Sequence, residues 1–270
     1  MRTLLSLLIL LTFAVIPSVS SAQISVRSQL SHDEVKMPGS SYQGSILIRN
    51  DTDEIQQAKL YQTDYSFQAD GSNAFGAPGE NNRSNASWIE LGTASMMVPP
   101  RESVSISYRV RVPQDVQLEG SFWSVIMVEG VPKSSAESLG NNAPDNSLGV
   151  KQVTRYGVQV ATHIEGTGAA ALEISNTEFT RNEQDEAFLK FTVANNGDKM
   201  VRPETWIEIY DLEGNTVGKK DGVNNRLYPS TSVLQNINLG KLQAGTYEAL
   251  VIMDAGSDDV FAAKFTLNID

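Results

Sequence analysis

The chain contains no cysteine among its 270 residues. That excludes disulfides, thiolate metal sites and thiol nucleophiles together. Histidine is nearly as scarce. His32 and His163 are the only two, too few for a histidine-rich metal centre and a thin basis for a nucleophile–histidine–carboxylate triad. Basic residues are outnumbered, 21 against 32 acidic ones, for a formal net charge of −11 and an isoelectric point near 4.7. A non-specific nucleic-acid binder needs the reverse, a basic field that neutralises phosphates. The sequence also holds no glycine-rich phosphate loop, dinucleotide fingerprint, GxSxG elbow or HExxH pair. Past the N-terminus no apolar run reaches the roughly 20 residues that span a bilayer.

The first segment that is informative is the N-terminus. Met1-Arg2-Thr3 is followed by an apolar run over residues 4–17 and then by Ser18-Val19-Ser20-Ser21-Ala22. A basic start, a short apolar core and small residues at the −3 and −1 positions predict a secretory signal peptide over 1–22, cleaved before Gln23. No cysteine follows the apolar core, so lipid anchoring there is excluded. With 40% hydrophobic and 20% charged residues, the remainder can bury a core, and its length predicts about two domains.

Period-two alternation, broken by Gly, Pro, Asn and Asp, dominates the rest and predicts half-buried strands joined by turns. Strands are expected at 24–30, 42–50 and 58–67, the last with Leu60 on one face and Tyr61, Tyr65 and Phe67 on the other. A long polar loop is expected over 70–87. Val104, Ile106, Tyr108, Val110 and Val112 fall at spacing two, opposite Ser105, Ser107, Arg109 and Arg111, the clearest strand in the chain. Residues 121–129 are apolar enough for a central strand. A polar loop is expected over 131–149, and another strand over 150–164.

Small, flexible residues at Glu165-Gly166-Thr167-Gly168-Ala169 mark a seam. Beyond it seven short strands are expected, at 172–179, 187–195, 205–212, 216–218, 232–239, 246–254 and 260–269. That count in about 100 residues fits an immunoglobulin-like sandwich. Tyr247, entering an apolar strand just after Gly245, has the placement of a tyrosine corner, with its hydroxyl bonding back to the corner backbone. Trp206 is a candidate core aromatic.

A family resemblance rests on two stretches. The first is the proline pair Pro99-Pro100 before a long alternating strand ending in Val112-Pro113, followed by Gly120-Ser121-Phe122-Trp123-Ser124-Val125-Ile126. The second is Gly245-Thr246-Tyr247-Glu248-Ala249-Leu250-Val251. The first block resembles the N-terminal domain of PapD-like periplasmic chaperones, and also that of the cell-surface proteins that accompany WxL-domain proteins. The second is similar to generic bacterial Ig-like envelope domains. The resemblance implies an all-β chain of two tandem immunoglobulin-like β-sandwich domains, 23–165 and 166–270, exported to the periplasm, with the cell surface as the alternative. It implies a non-enzymatic protein without cofactor or metal. Its partner would be an exported subunit, pilin-like or otherwise β-rich, bound by strand pairing or in the interdomain cleft. The family's carboxylate-gripping basic pair is matched by Arg27 and Arg155, and its donor strand by 150–164, with Val153, Tyr156 and Val158 as contact residues. The competing class is an envelope module that binds glycan or peptidoglycan.

The remaining motifs have plainer readings. Ser31-His32-Asp33 is expected to be a surface turn, and His163 a packed or exposed residue at a strand end. The acidic runs 51–54, 183–186 and 258–259 lack the calcium-loop spacing and are expected to be solvated turns. Phe75 is expected to pack its own loop back onto a sheet. Three glycosylation sequons begin at Asn50, Asn82 and Asn85.

Overall fold

The computed structural model describes residues 24–114, 117–131, 153–256 and 259–269. The leader expected at 1–22, most of the loop expected at 131–149 and residues 150–152 lie outside them. Strands account for the regular structure. Among the described residues there is no α-helix, and the single helical turn is the 3-10 segment Ala86–Trp88.

Ten strands build the first sandwich: β1 (Ile24–Val26), β2 (Ser31–Lys36), β3 (Ser41–Asn50), β4 (Gln56–Phe67), β5 (Asn73–Gly76), β6 (Ile89–Leu91), β7 (Ser95–Val98), β8 (Ser103–Arg111), β9 (Ser121–Val131) and β10 (Arg155–Ile164). One sheet runs β1-β3-β8-β6. The other runs β2-β10-β9-β4-β5, with β7 also on β4. Every pairing is antiparallel except that of β2 with β10, which is parallel. The chain therefore leaves one sheet after Val26 and joins the other at Ser31. The alternation of β8 works as expected: Ile106, Tyr108 and Val110 are buried while Ser105, Ser107 and Arg109 face water. They meet Ile46 and Ile48 of β3 and, from the facing sheet, Leu60, Ile126, Val128, Val158 and Val160.

Seven strands build the second sandwich: β11 (Leu172–Arg181), β12 (Ala187–Asn195), β13 (Glu204–Asp211), β14 (Thr216–Asp221), β15 (Ser232–Gly240), β16 (Gly245–Asp254) and β17 (Val260–Ile269). Its sheets run β11-β12-β15 and β14-β13-β16-β17, all antiparallel. Leu189, Phe191, Val193 and Ile237 of one face Ile207, Ile209, Val251 and Leu267 of the other. The tyrosine corner is present, with the Tyr247 hydroxyl donating to the Gln243 carbonyl at 3.1 Å.

Four local expectations are corrected. The stretch 24–30 is not one strand, because the chain crosses between sheets after Val26. Ser31–Lys36 is a strand and not a turn. It carries no apolar alternation of its own (half-buried and exposed residues alternate) and is held extended by its ladder to β10. The loop expected over 70–87 contains β5, which folds back on β4 and sets Phe75 beside Tyr65 at 5.0 Å between ring centroids. Trp206 lies on the outer face of β13 under the Lys219 ammonium, because Ile207 and Ile209 take the inward positions. The large core aromatic is Phe191.

Both sandwiches use the same clamp at the end of a long strand, β3 in one and β12 in the other. Asn50 is fully buried; its amide donates to the carbonyls of Glu54, Val98 and Pro99, and its oxygen accepts from the Thr52 N–H. Asn195 repeats this with Lys199, Leu227 and Gly197. Each satisfies backbone groups that a tight turn would leave unpaired. Asn85 is buried as well, bonded to Phe122, Val160, Thr162 and Ser124. Two of the three sequon asparagines are thus structural.

Candidate partner-binding edge and the joint between the sandwiches

The strand β10 has two different edges. Its β9 side is paired from Arg155↔Glu129 to His163↔Ser121. Its other side is covered by β2 only from Gln159 onward. The Gln159 N–H donates to the Leu30 carbonyl at 2.8 Å and the Glu165 N–H to Lys36 at 3.1 Å. Odd-numbered residues therefore direct their backbone polar groups to the β2 side. Upstream of β2, Arg155 and Gly157 direct theirs past the end of that strand, where none of the described strands pairs with them. Tyr156 and Val158, of opposite parity, point into the first core, half-buried and fully buried respectively. Val153 precedes the strand and is half-buried.

The two arginines matched to a basic pair are each occupied by a carboxylate of the first sandwich. Arg27 donates to both oxygens of Asp51 at 3.0 Å, and Arg49 adds a third bond at 2.9 Å. The Ser25 hydroxyl bond, together with these guanidinium groups, holds the Asp51 carboxyl below its ordinary range. Arg155 donates to Glu129 at 2.9 Å, and the Tyr61 hydroxyl meets the same oxygen at 3.2 Å. Arg27 follows a strand of one sheet and Arg155 opens a strand of the other. Their carboxylate partners both belong to the first sandwich, so the two arginines form no shared clamp and fasten nothing across the seam.

Other residues meet at the seam. Trp123 lies on the outer face of β9, because Phe122, Ile126 and Val128 fill the inner one. It stacks on Tyr228 at 4.6 Å between centroids, and both are buried. Its indole N–H donates to the Tyr65 carbonyl at 2.9 Å. The Ser121 N–H donates to the Asp198 carbonyl at 2.8 Å, and the Ser121 hydroxyl oxygen accepts from the Met200 N–H at 2.8 Å. Arg226 bridges to Asp33 at 3.0 Å and to the Ser31 hydroxyl. Gln68 and Ala69 bond Ser230 and Ser232. Beside these contacts an open cleft of about 470 Å³ separates Tyr65, Phe67 and Gln68 from Arg226 and Leu234.

Ser121, His163 and Asp33 stand in the order of a catalytic triad, with His163 Nδ1 2.8 Å from the Ser121 hydroxyl and Nε2 3.4 Å from Asp33. The serine is fully buried and its oxygen is already engaged by Met200. Nothing can approach it as a nucleophile needs, so the constellation is a fastening. The sequence pattern carries one signal for this joint. Residues 121–128 are apolar at both parities apart from Ser121 and Ser124, so the strand's outer face also had to be covered.

Burial raises the pKa of the Asp33 carboxyl, but the His163 hydrogen bond and the Arg226 charge outweigh it and hold the group below its ordinary 3.8. A depressed carboxyl contributes stability that is present above the unfolded pKa and is lost as pH falls through the folded one. Thermal melts below about pH 4 should therefore show the wild type losing its advantage over Asp33→Asn, with the gap closing as the carboxyl protonates. A gap that stays constant down to about pH 2 would exclude this coupling.

No family model matches the chain, and no curated protein matches it. Solved structures that it resembles are fimbrial chaperones. The class 5 fimbriae chaperone CfaA matches at 14% identity and a TM-score of 0.47, over 89% of this chain and 98% of that one. The E. coli chaperone DraB matches at 15% and 0.42, over 90% and 98%. The CsuC-CsuE chaperone–tip adhesion subunit pre-assembly complex of Acinetobacter baumannii matches at 9% and 0.43, over 90% and 98%. All three likenesses are distant.

Proposed function

We propose that this is an exported, non-enzymatic chaperone-like protein of the periplasm that binds a β-rich envelope or surface-assembly subunit by strand pairing. The observation that carries this reading is the edge of β10 from Arg155 to Val158, where β2 stops and backbone groups of Arg155 and Gly157 face outward. A partner strand laid there would continue the sheet in line with β2, using main-chain hydrogen bonds for affinity. The cleft beside Arg226 and Leu234 lies at the seam, at the opposite end of the sheet from this edge, and plays no part in the strand pairing. The chain reads as a leader followed by two units, 23–165 and 166–270. Gripping a terminal carboxylate with Arg27 or Arg155 would require it to displace Asp51 or Glu129, so strand pairing is the primary mode.

Two substitutions at one position separate the modes. Arg155→Pro removes an outward N–H without touching the β9 ladder, and Arg155→Ala removes only the guanidinium. Co-purification of a β-rich exported subunit from periplasmic extract should be lost in the proline variant and retained in the alanine one. Equal loss in both would favour the arginine clamp. Retention in both would exclude this edge.

A further inference from the structure

The far edge of the second sandwich is long and regular. β17 pairs with β16 over ten consecutive residues, Gly245↔Ile269 to Asp254↔Val260, with no register shift. No described strand lies on its other side. Two other edges of this sandwich are more irregular: β11 carries a bulge between Ser175 and Glu178 with Asn176 at φ +50°, and β14 shifts register between Ile209 and Tyr210 of its partner β13. β17 has no proline and one charged side chain, Lys264. Long, regular edges of this kind are templates for another strand.

The register decides which strand fits. The Ala255 N–H donates to the Asp259 carbonyl and closes the hairpin. Bonded pairs with β16 therefore recur at the odd residues 261, 263, 265, 267 and 269, and the even residues direct their N–H and C=O groups outward. Odd side chains face the core. Leu267 and Ile269 are fully buried there, whereas Phe261, Ala263 and Phe265 remain half-buried. The uncovered apolar surface is thus centred on Ala263.

We infer that β17 pairs antiparallel with β17 of a second copy of this chain about a two-fold axis at Ala263, joining two four-stranded sheets into one of eight strands. This register sets Phe261 opposite Phe265 of the second copy twice over, as non-hydrogen-bonded pairs whose side chains approach closest. It sets Lys264 opposite Ala262, so no like charges face each other. Residues 260, 262, 264 and 266 carry the inter-chain bonds. The interface is isologous, as two-fold symmetry requires. It is independent of partner binding at β10, which lies in the other sandwich.

The absence of native cysteine makes the register directly testable. Ala263→Cys would meet its own copy across the axis at a Cα separation of about 4.5 Å, within disulfide range. Under mild oxidation it should cross-link to a covalent dimer, while Ala262→Cys, pointing to the outer face, should not. Sedimentation of the wild type at micromolar concentration should give twice the monomer mass. Ala262→Pro removes one outward N–H per chain and leaves the β16 ladder whole, so it should weaken dimerisation about tenfold or more. Its fold is checked by far-ultraviolet circular dichroism, and the cysteine test does not depend on it. A monomeric wild type together with no cross-link at position 263 would overturn the inference, as would a dimer indifferent to Ala262→Pro that cross-links equally through 262.

Discussion

Gly120→Ala is expected to destabilise the protein by roughly 2–4 kcal/mol and to loosen the two sandwiches from each other. Gly120 sits just before β9 at φ +73°. A Cβ built on it would overlap the carbonyl oxygen of Asp198, and one built on Gly168 would overlap the Cα of Gly120. Three segments converge there. The Gly120 carbonyl accepts from the Ile164 N–H at 2.8 Å, its own N–H donates to the Thr167 hydroxyl at 2.9 Å, and the next residue donates to Asp198. A methyl group cannot be housed without moving the turn that carries Asp198. That movement pulls Ser121 from both Asp198 and Met200. Gly166 supplies the control. It has φ +69° but nothing within 4 Å of a Cβ, so Gly166→Ala carries only the left-handed backbone penalty of about 1–2 kcal/mol. Urea denaturation of both variants checks the difference. If the two lose equal stability, the close approach at Gly120 contributes nothing.

The joint was the part of this molecule least visible in the sequence, and the reason is physical. Strands announce themselves through their own side chains. The spacing of Val104, Ile106, Tyr108 and Val110 reports burial against one sheet, and it was legible because each residue's environment repeats with the pleat. Tyr247 was legible because its partner, Gln243, is four residues away. The contacts at the seam are remote. Asp33 meets Arg226 and Trp123 meets Tyr228 across the boundary between two sandwiches; the apolar run around Trp123 says that its face is covered but not by what, and nothing local distinguishes Asp33 or Arg226 from solvated residues. β2 was missed for the same reason. Ser-His-Asp-Glu-Val-Lys has the composition of a turn and becomes a strand only because β10 offers it a ladder.

The candidate site shows what side-chain type alone leaves out. Arg27 and Arg155 stand out by charge type and by position on a first and last strand. The structure gives each an intramolecular carboxylate, which composition cannot reveal because Asp51 and Glu129 lie 24 and 26 residues away in the chain. The edge on which the proposed function rests is backbone: the point where β2 stops covering β10. That depends on where a neighbouring strand ends, and no side-chain pattern encodes it. Trp206 was misplaced by a smaller margin. An aromatic in a strand can face either way, and its parity relative to Ile207 and Ile209 placed it outside.

Trp123→Ala should be the most damaging single truncation at the joint, costing about 3–5 kcal/mol as buried aromatic truncations do. Trp123 and Tyr228 are 2% and 0% exposed, and their rings stack at an interplanar angle of 27°. Ala161, Phe67 and Met200 close the rest of the cluster. Removing the indole leaves a cavity between two units that each keep a complete core, so the loss falls on their coupling. Calorimetry should then resolve two transitions where the wild type is expected to show one. Trp123→Phe preserves a ring but forfeits the bond to the Tyr65 carbonyl, and should cost about 1 kcal/mol from that bond with one transition retained. A double-mutant cycle with Tyr228→Ala isolates the stacking itself, expected at about 0.5–1.5 kcal/mol. A single unshifted transition in Trp123→Ala would mean that the polar fastenings, Asp33–Arg226 and Ser121–Met200, suffice to hold the sandwiches as one cooperative unit.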